Sequence, residues 1–207
     1  KDFCAIPRGL FSAVRVQDIG VAYWLKKNFS QLSIDLICES MPLNLVGLKK
    51  LEQSLGVRRL ILSHQLSLDT IETYVKELNC EVELLLAGRI LLFSSPRKLI
   101  EPAFGQSSVE IKEVKAVSLE NQRPFPVIES VHGTFMFNSY DLYRLDQLDE
   151  LSNLGIHVGK VDNRFIDTAI FENILKLMNH YSVEEAKLLK KSWPTRCLPG
   201  FKKSNKT

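Results

Sequence analysis

Six polar residues stand at or just past the ends of apolar runs in this sequence: Glu39, His64, Arg89, Lys160, Asp162 and Arg164. Arg89 and Arg164 each offer a planar guanidinium fork that matches carboxylate or phosphate oxygens. That chemistry suits an anionic ligand or a nucleotide. Lys160 and Arg164 are read as the groups that hold the anion, with Arg89 and Glu39 as further substrate-binding groups. Asp162 lies two residues from each of Lys160 and Arg164, placed to orient Arg164 or to act as a base, and His64 is the second catalytic candidate. Such residues also serve as helix caps and mutual ion pairs, because loops between strands and helices are polar anyway. His64 falls near Cys38 and Glu39 in this reading, but no metal-ligand spacing accompanies them, so no metal site is expected. GxSxG, HExxH, P-loop and GxGxxG motifs are absent. Nothing in the sequence pairs a histidine with a nucleophile, so no protease triad can be assembled.

A regular frame is expected to position these groups. The runs Ser33–Cys38, Val57–Ser63 and Val82–Leu86 begin about 24 residues apart, the length of a strand, a helix and two short loops in a parallel α/β protein. Parallel strands aim their C-terminal ends at one rim, where such folds bind ligands. Leu10–Val16 reads as a preceding strand, and Asp18 as the cap of a helix with Val21, Trp24, Leu25 and Phe29 at helical spacing. A Pro-containing loop leads to a helix from about Asn44, closed by Gly56. Ser67 caps the helix bearing Leu68, Ile71, Tyr74, Val75 and Leu78.

The rhythm is expected to break at Gly88. Val109–Leu119 alternates like a half-exposed antiparallel strand, and Phe125–Glu129 with Thr134–Asn138 predicts a hairpin around Gly133. Asn138 or Ser139 is read as the cap of a helix carrying Leu142, Leu145, Leu148 and Leu151, ended by Gly155. Ile156–Val161 is a further strand, Phe165–Tyr181 an amphipathic helix, and Ser182 caps a last one before a Pro/Gly-rich loop. The expected organisation is βα units of a barrel over 1–104, a β-rich insertion over 105–138, a closing βα unit with C-terminal helices over 139–193, and a loop with a basic tail over 194–207. The fold class is therefore α/β: a TIM-like (β/α) barrel, or the C-terminal part of one, with a small β-rich insertion.

The 207 residues carry 45% hydrophobic and 25% charged residues and a net charge of +3, ordinary for a soluble chain and neutral on nucleic-acid binding. No apolar run reaches the length of a membrane span, and no signal peptide is recognisable. Four scattered cysteines without a CxxC pair fit a reducing, cytoplasmic location. The chain does not begin with Met, as expected of a fragment or trimmed product, and a missing N-terminal segment or a partner chain is expected to complete the barrel.

Several segments, in order, resemble the collagenase-like peptidases, family 32 of the peptidases of unknown mechanism. LNLVGLKKLEQSLGVRRLILSHQLSLDTI, VELLLAGRILLFS, FPVIESVHGTFMFNSYDLYRLDQLDELSNLGIHVGKVDNRF and WPTRCLPGF are each similar to a family segment, over roughly residues 40–201. The resemblance implies a TIM-like barrel with a β-rich addition. It implies peptidase activity by family name, or a part in hydroxylation of RNA bases or of a quinone, as in relatives that carry an iron–sulfur cluster on cysteines. A non-catalytic barrel subunit is a third reading. Here Ala87 stands for the family's His, Gln65 for a Glu, and Asp162 and Asn163 for the Glu and Gly of its KIEGR, while Lys160 and Arg164 match. No cysteine occurs between Cys80 and Cys197, so an iron–sulfur cluster of that kind is not expected. The partners implied are a protein or peptide substrate, or RNA, and no membrane.

Overall fold

Asp18, Asn44 and Gly56 bound helices where the sequence puts them. The computed structural model describes residues 11–39, 44–104, 112–117 and 124–198. Asp18 separates β1 (Ala13–Val16) from α1 (Ile19–Asn28), its carboxylate accepting from the Val21 amide at 2.8 Å. Asn44 stands before α2 (Leu45–Leu55), which follows β2 (Ser33–Ile37), and accepts from the Gly47 amide at 2.7 Å. Each such cap contributes about 1 kcal/mol by satisfying an orphan N–H of the first turn. Gly56 closes α2 at φ 60°. β3 (Arg59–Ile61) leads to α3 (Leu68–Glu77) and then to β4 (Glu81–Ser95). Next come a single turn, α4 (Glu101–Phe104), and the strands β5 (Lys112–Val117), β6 (Pro124–Ser130) and β7 (Gly133–Tyr143). The chain ends in α5 (Leu148–Asn153), β8 (Val158–Asp162), α6 (Thr168–Asn179), α7 (Val183–Lys191) and β9 (Cys197–Leu198).

The chain divides into two units, one of Lys1–Leu85, Gln147–Lys160 and Gly200–Thr207, the other of Leu86–Asp146 and Val161–Pro199. In the first, β1, β2, β3 and β4 pair consecutively and in parallel. Ile34, Leu36, Leu60, Val82 and Leu84 are buried on these strands, as are Leu48, Leu55 and Ile71 on α2 and α3. Removing each such side chain from water contributes about 1.5–3 kcal/mol. Register partners bear charge: Arg15 lies beside Asp35, Asp35 beside Arg59, and Arg59 beside Glu81. Glu83, fully buried, takes Arg15 in a two-pronged pair at 2.7 and 2.9 Å, and Arg59 approaches at 3.4 Å. Arg58 grips Asp35 at 2.7 and 2.9 Å, and Arg59 bonds Glu81 at 2.7 Å.

The second unit is antiparallel. The continuation of β4 pairs with β7, β7 with β6, and β6 with β5, while β9 adds to β7 in parallel. Buried Glu129 on β6 accepts from the amides of Ile100 and Glu101 at 2.7 and 2.9 Å and lies 2.7 Å from the Thr134 hydroxyl. Burial pushes its carboxyl pKa up, but these hydrogen bonds to the charged form outweigh that, and the net direction is below the ordinary value.

Several expectations are corrected. Residues 138–143 continue strand β7 instead of opening a helix, because Ala87, Gly88 and Arg89 pair with Tyr143, Leu142 and Asp141. The βα rhythm does break at Gly88: no helix follows directly, and β4 continues to Ser95 in antiparallel pairing with β7. Helix structure resumes only with a 3₁₀ turn at Leu145–Gln147 and α5. On α1 the buried residues are Ala22 and Leu25, while Val21 and Trp24 are exposed. Ser67 occupies the cap position of α3, but its hydroxyl meets Asp69 and Thr70 side chains, not a backbone N–H. Helix α6 starts at Thr168 rather than Phe165, where the Asp167 carboxylate accepts from the Ala169 amide at 2.8 Å. The predicted closing loop contains the short strand β9. The Pro-containing loop at 40–43, parts of the Val109–Leu119 strand, Cys4 and the basic tail at 199–207 lie outside the described residues. Among the described residues no helix is long and apolar enough to cross a membrane.

Candidate functional site

The antiparallel register of β4 and β7 sets Arg89 directly beside Asp141. Arg89 Nε donates to Asp141 Oδ1 at 2.5 Å, and both residues are buried. The other carboxylate oxygen accepts from Trp193 Nε1 at 2.9 Å and Thr195 Oγ1 at 2.7 Å. A buried carboxylate is tolerated because three side-chain donors replace its water. Trp193 in turn meets the Tyr143 ring edge to face at 5.0 Å, and Tyr143 donates to the Ala186 carbonyl at 2.5 Å. Strand β7 is thereby tied to α7 and the segment after it.

Arg89 is held on its other side by a ring. Its guanidinium carbon lies 5.0 Å from the centre of Phe165, which meets Phe137 edge-on at 4.9 Å. The guanidinium of Arg164 lies 4.7 Å from the Phe137 ring centre. The result is a ladder of cation, ring, ring and cation. Each cation–ring contact contributes about 0.5–2 kcal/mol, and the ring pair about 0.5–1.5 kcal/mol.

Asp162 sets the outer rung. Its carboxylate accepts from Arg164 Nε at 2.9 and 3.1 Å and from an Arg164 terminal nitrogen, and one oxygen also accepts the Arg164 amide at 3.2 Å. That last bond is an Asp-type turn, which ends β8 and points the chain toward α6. Gly88 makes room for it. At φ 126° a Cβ there would sit 2.4 Å from the Asp162 carbonyl oxygen and 2.8 Å from its Cβ. Arg164 keeps 47% of its side-chain surface exposed, whereas Asp162 keeps 8%. The in-plane fork of Arg164 is held by Asp162.

The structure brings Arg89, Asp162 and Arg164 together in the second unit. Glu39 and His64 lie in the first, half-buried just past the ends of the neighbouring strands β2 and β3, where Cys38 N donates to the Ile61 carbonyl at 2.9 Å. Lys160 is half-buried on β8, two residues before Asp162. Sequence reading missed Asp141, Phe137, Phe165, Trp193 and Thr195. Phe165 directly follows the KVDNR segment and was the signal available; the link from Asp141 to Trp193 spans 52 residues and left none.

Burial pushes the Cys38 and Cys80 thiols up to about 12 and Cys197 up to about 11. Among the described residues no group of three His, Cys, Asp or Glu side chains converges as metal donors would.

The sequence model of Peptidase family U32 matches residues 9–202. Similar curated proteins include tRNA hydroxylation protein P2 of Bacillus subtilis, 28% identical over 115 residues, 52% of this chain and 37% of that protein. Others are tRNA hydroxylation protein P of Haemophilus influenzae and of Escherichia coli, 24% and 23% identical, each over 73% of this chain and 44% of its own length. The chain thus spans less than half the length of these relatives. With the match covering all but the ends of the sequence, the chain belongs to Peptidase family U32.

Proposed function

We propose that this chain engages RNA as part of a base-modification activity, in the manner its relatives' names suggest, and is not a peptide hydrolase. The observation that carries this reading is the Arg89–Phe165–Phe137–Arg164 ladder, whose outer arginine keeps 47% of its side-chain surface exposed. Unstacked RNA bases pack on guanidinium planes as they do on aromatic rings. Arg164 is the stacking surface, Asp162 its positioning residue, and Arg89 the inner support held by Asp141. Lys160 supplies charge for the phosphate backbone. Asp162 is an unsuitable general base for peptide hydrolysis, because both of its oxygens already accept from Arg164. In this reading the parallel unit is part of a TIM-like barrel, the chain carries no iron–sulfur cluster on its own thiols, and the protein works in the cytoplasm.

The test is binding of unmodified tRNA by the full-length protein across a salt series, with casein cleavage assayed in parallel. The reading predicts affinity that falls steeply as salt rises, as counterions are released from the phosphates, and no cleavage above the buffer control. Absent or salt-insensitive binding, or casein cleavage that copurifies with the protein, would contradict it.

A further inference from the structure

Arg144 follows β7 directly, its amide donating to the Leu86 carbonyl at 2.7 Å. Its side chain is fully buried, and Nε and both terminal nitrogens lack any hydrogen-bond partner among the described residues. The acids named so far in this unit bond other groups. Asp141 holds Arg89, Trp193 and Thr195; Asp162 takes Arg164; Glu129 holds the amides of Ile100 and Glu101. Asp146 takes Lys190 at 2.8 Å through Oδ2, while its Oδ1 is itself buried without a hydrogen-bond partner and makes no bond to Arg144. Burial alone acts on Arg144, in the direction that disfavours its charge, and no carboxylate offsets it. Yet a guanidinium does not give up its proton in a protein. A buried, unpaired, permanent cation is among the costliest features a fold can keep, and it persists where something outside the chain completes it.

The position separates this cation from the ladder. Strand alternation puts Arg144 and Leu142 on the face of β7 opposite to Asp141 and Tyr143, and the register pairs Leu142 with Gly88. The Arg89–Asp141 pair occupies the other face.

We infer that Arg144 is the recognition arm of a buried oxyanion site, taking the carboxylate or phosphate group of a small ligand through its planar fork. The site is separate from the RNA reading above, so either can fail without the other. Thermal unfolding of the full-length protein is measured with inorganic phosphate, with malonate, and with sodium chloride at matched ionic strength. The expected result is a saturable rise in Tm with phosphate or malonate that chloride does not reproduce; which of the two acts tells phosphate from carboxylate ligands. Arg144→Met should lose the rise and, without anion, melt at or above the wild type, since it deletes an unpaired charge. Arg144→Lys keeps the charge but not the fork, and should need several-fold more anion for half its effect. The inference is overturned if wild-type Tm responds no more to phosphate and malonate than to chloride. It is equally overturned if Arg144→Met responds as the wild type does or melts lower without anion, or if Arg144→Lys shows unchanged half-saturation.

Discussion

Arginine is used differently in the two units. On the parallel strands Arg15, Arg58 and Arg59 each meet a carboxylate, and Asp35 and Glu83 each serve two of the three. In the antiparallel unit Arg89 and Arg164 each meet a carboxylate and an aromatic ring, and the Arg144 side chain has no hydrogen-bond partner among the described residues. In the first unit these guanidinium groups are set against acids of neighbouring strands. In the second, aromatic rings take over part of that role at Arg89 and Arg164. In the reading proposed above, the first set holds the sheet and the second serves binding.

The sharpest way to break this contrast is to remove the acid shared by two arginines. Glu83→Ala leaves Arg15 without its carboxylate and Arg59 with only Glu81 and Asp35, and should cost about 3 kcal/mol in urea unfolding. The half-exposed Arg15 will recover part of its loss from water. A cost below about 1 kcal/mol would mean that the lattice is not structural.

Gly88→Ala comes next. The new methyl meets the Asp162 carbonyl in a backbone conformation that L-residues avoid, so a loss of about 1–3 kcal/mol is expected. Because the strain falls on Asp162, the variant should also weaken tRNA binding, which Glu83→Gln, if folded, should leave unchanged. Equal binding losses in the two variants would erase the distinction.

The acid limb of stability carries a contribution from the second unit. Glu129 has a folded-state pKa below its unfolded value, so its contribution is complete above the unfolded carboxylate range and disappears as pH falls through the folded value. A Tm series from neutral to acid pH should therefore be flatter in Glu129→Gln. An unchanged slope would show that the segment around Ile100 is held by something else.

Much of the parallel unit was legible because its signals are local. Asp18, Asn44 and Gly56 act within one turn of where they stand, and the strand interval follows from chain geometry. The antiparallel unit was less legible because its pairing is long-range. Asn138 and Ser139 look like helix caps, yet pairing of the following residues with Ala87, Gly88 and Arg89 overrides that preference. Arg89, Asp162 and Arg164 were recognisable as candidates from type and position. The rings between them were not, since Phe137 reaches Phe165 and Arg164 only through the fold.

The smallest expected change in stability accompanies the most direct test. Arg164→Ala is compared with the wild type for tRNA affinity by fluorescence anisotropy and for stability by urea unfolding. Losing this half-exposed guanidinium, with its ring contact and its bonds to Asp162, should cost about 1–2 kcal/mol in unfolding, while loss of a stacking surface should weaken tRNA binding about tenfold or more. Unchanged affinity in a folded Arg164→Ala protein would contradict the account.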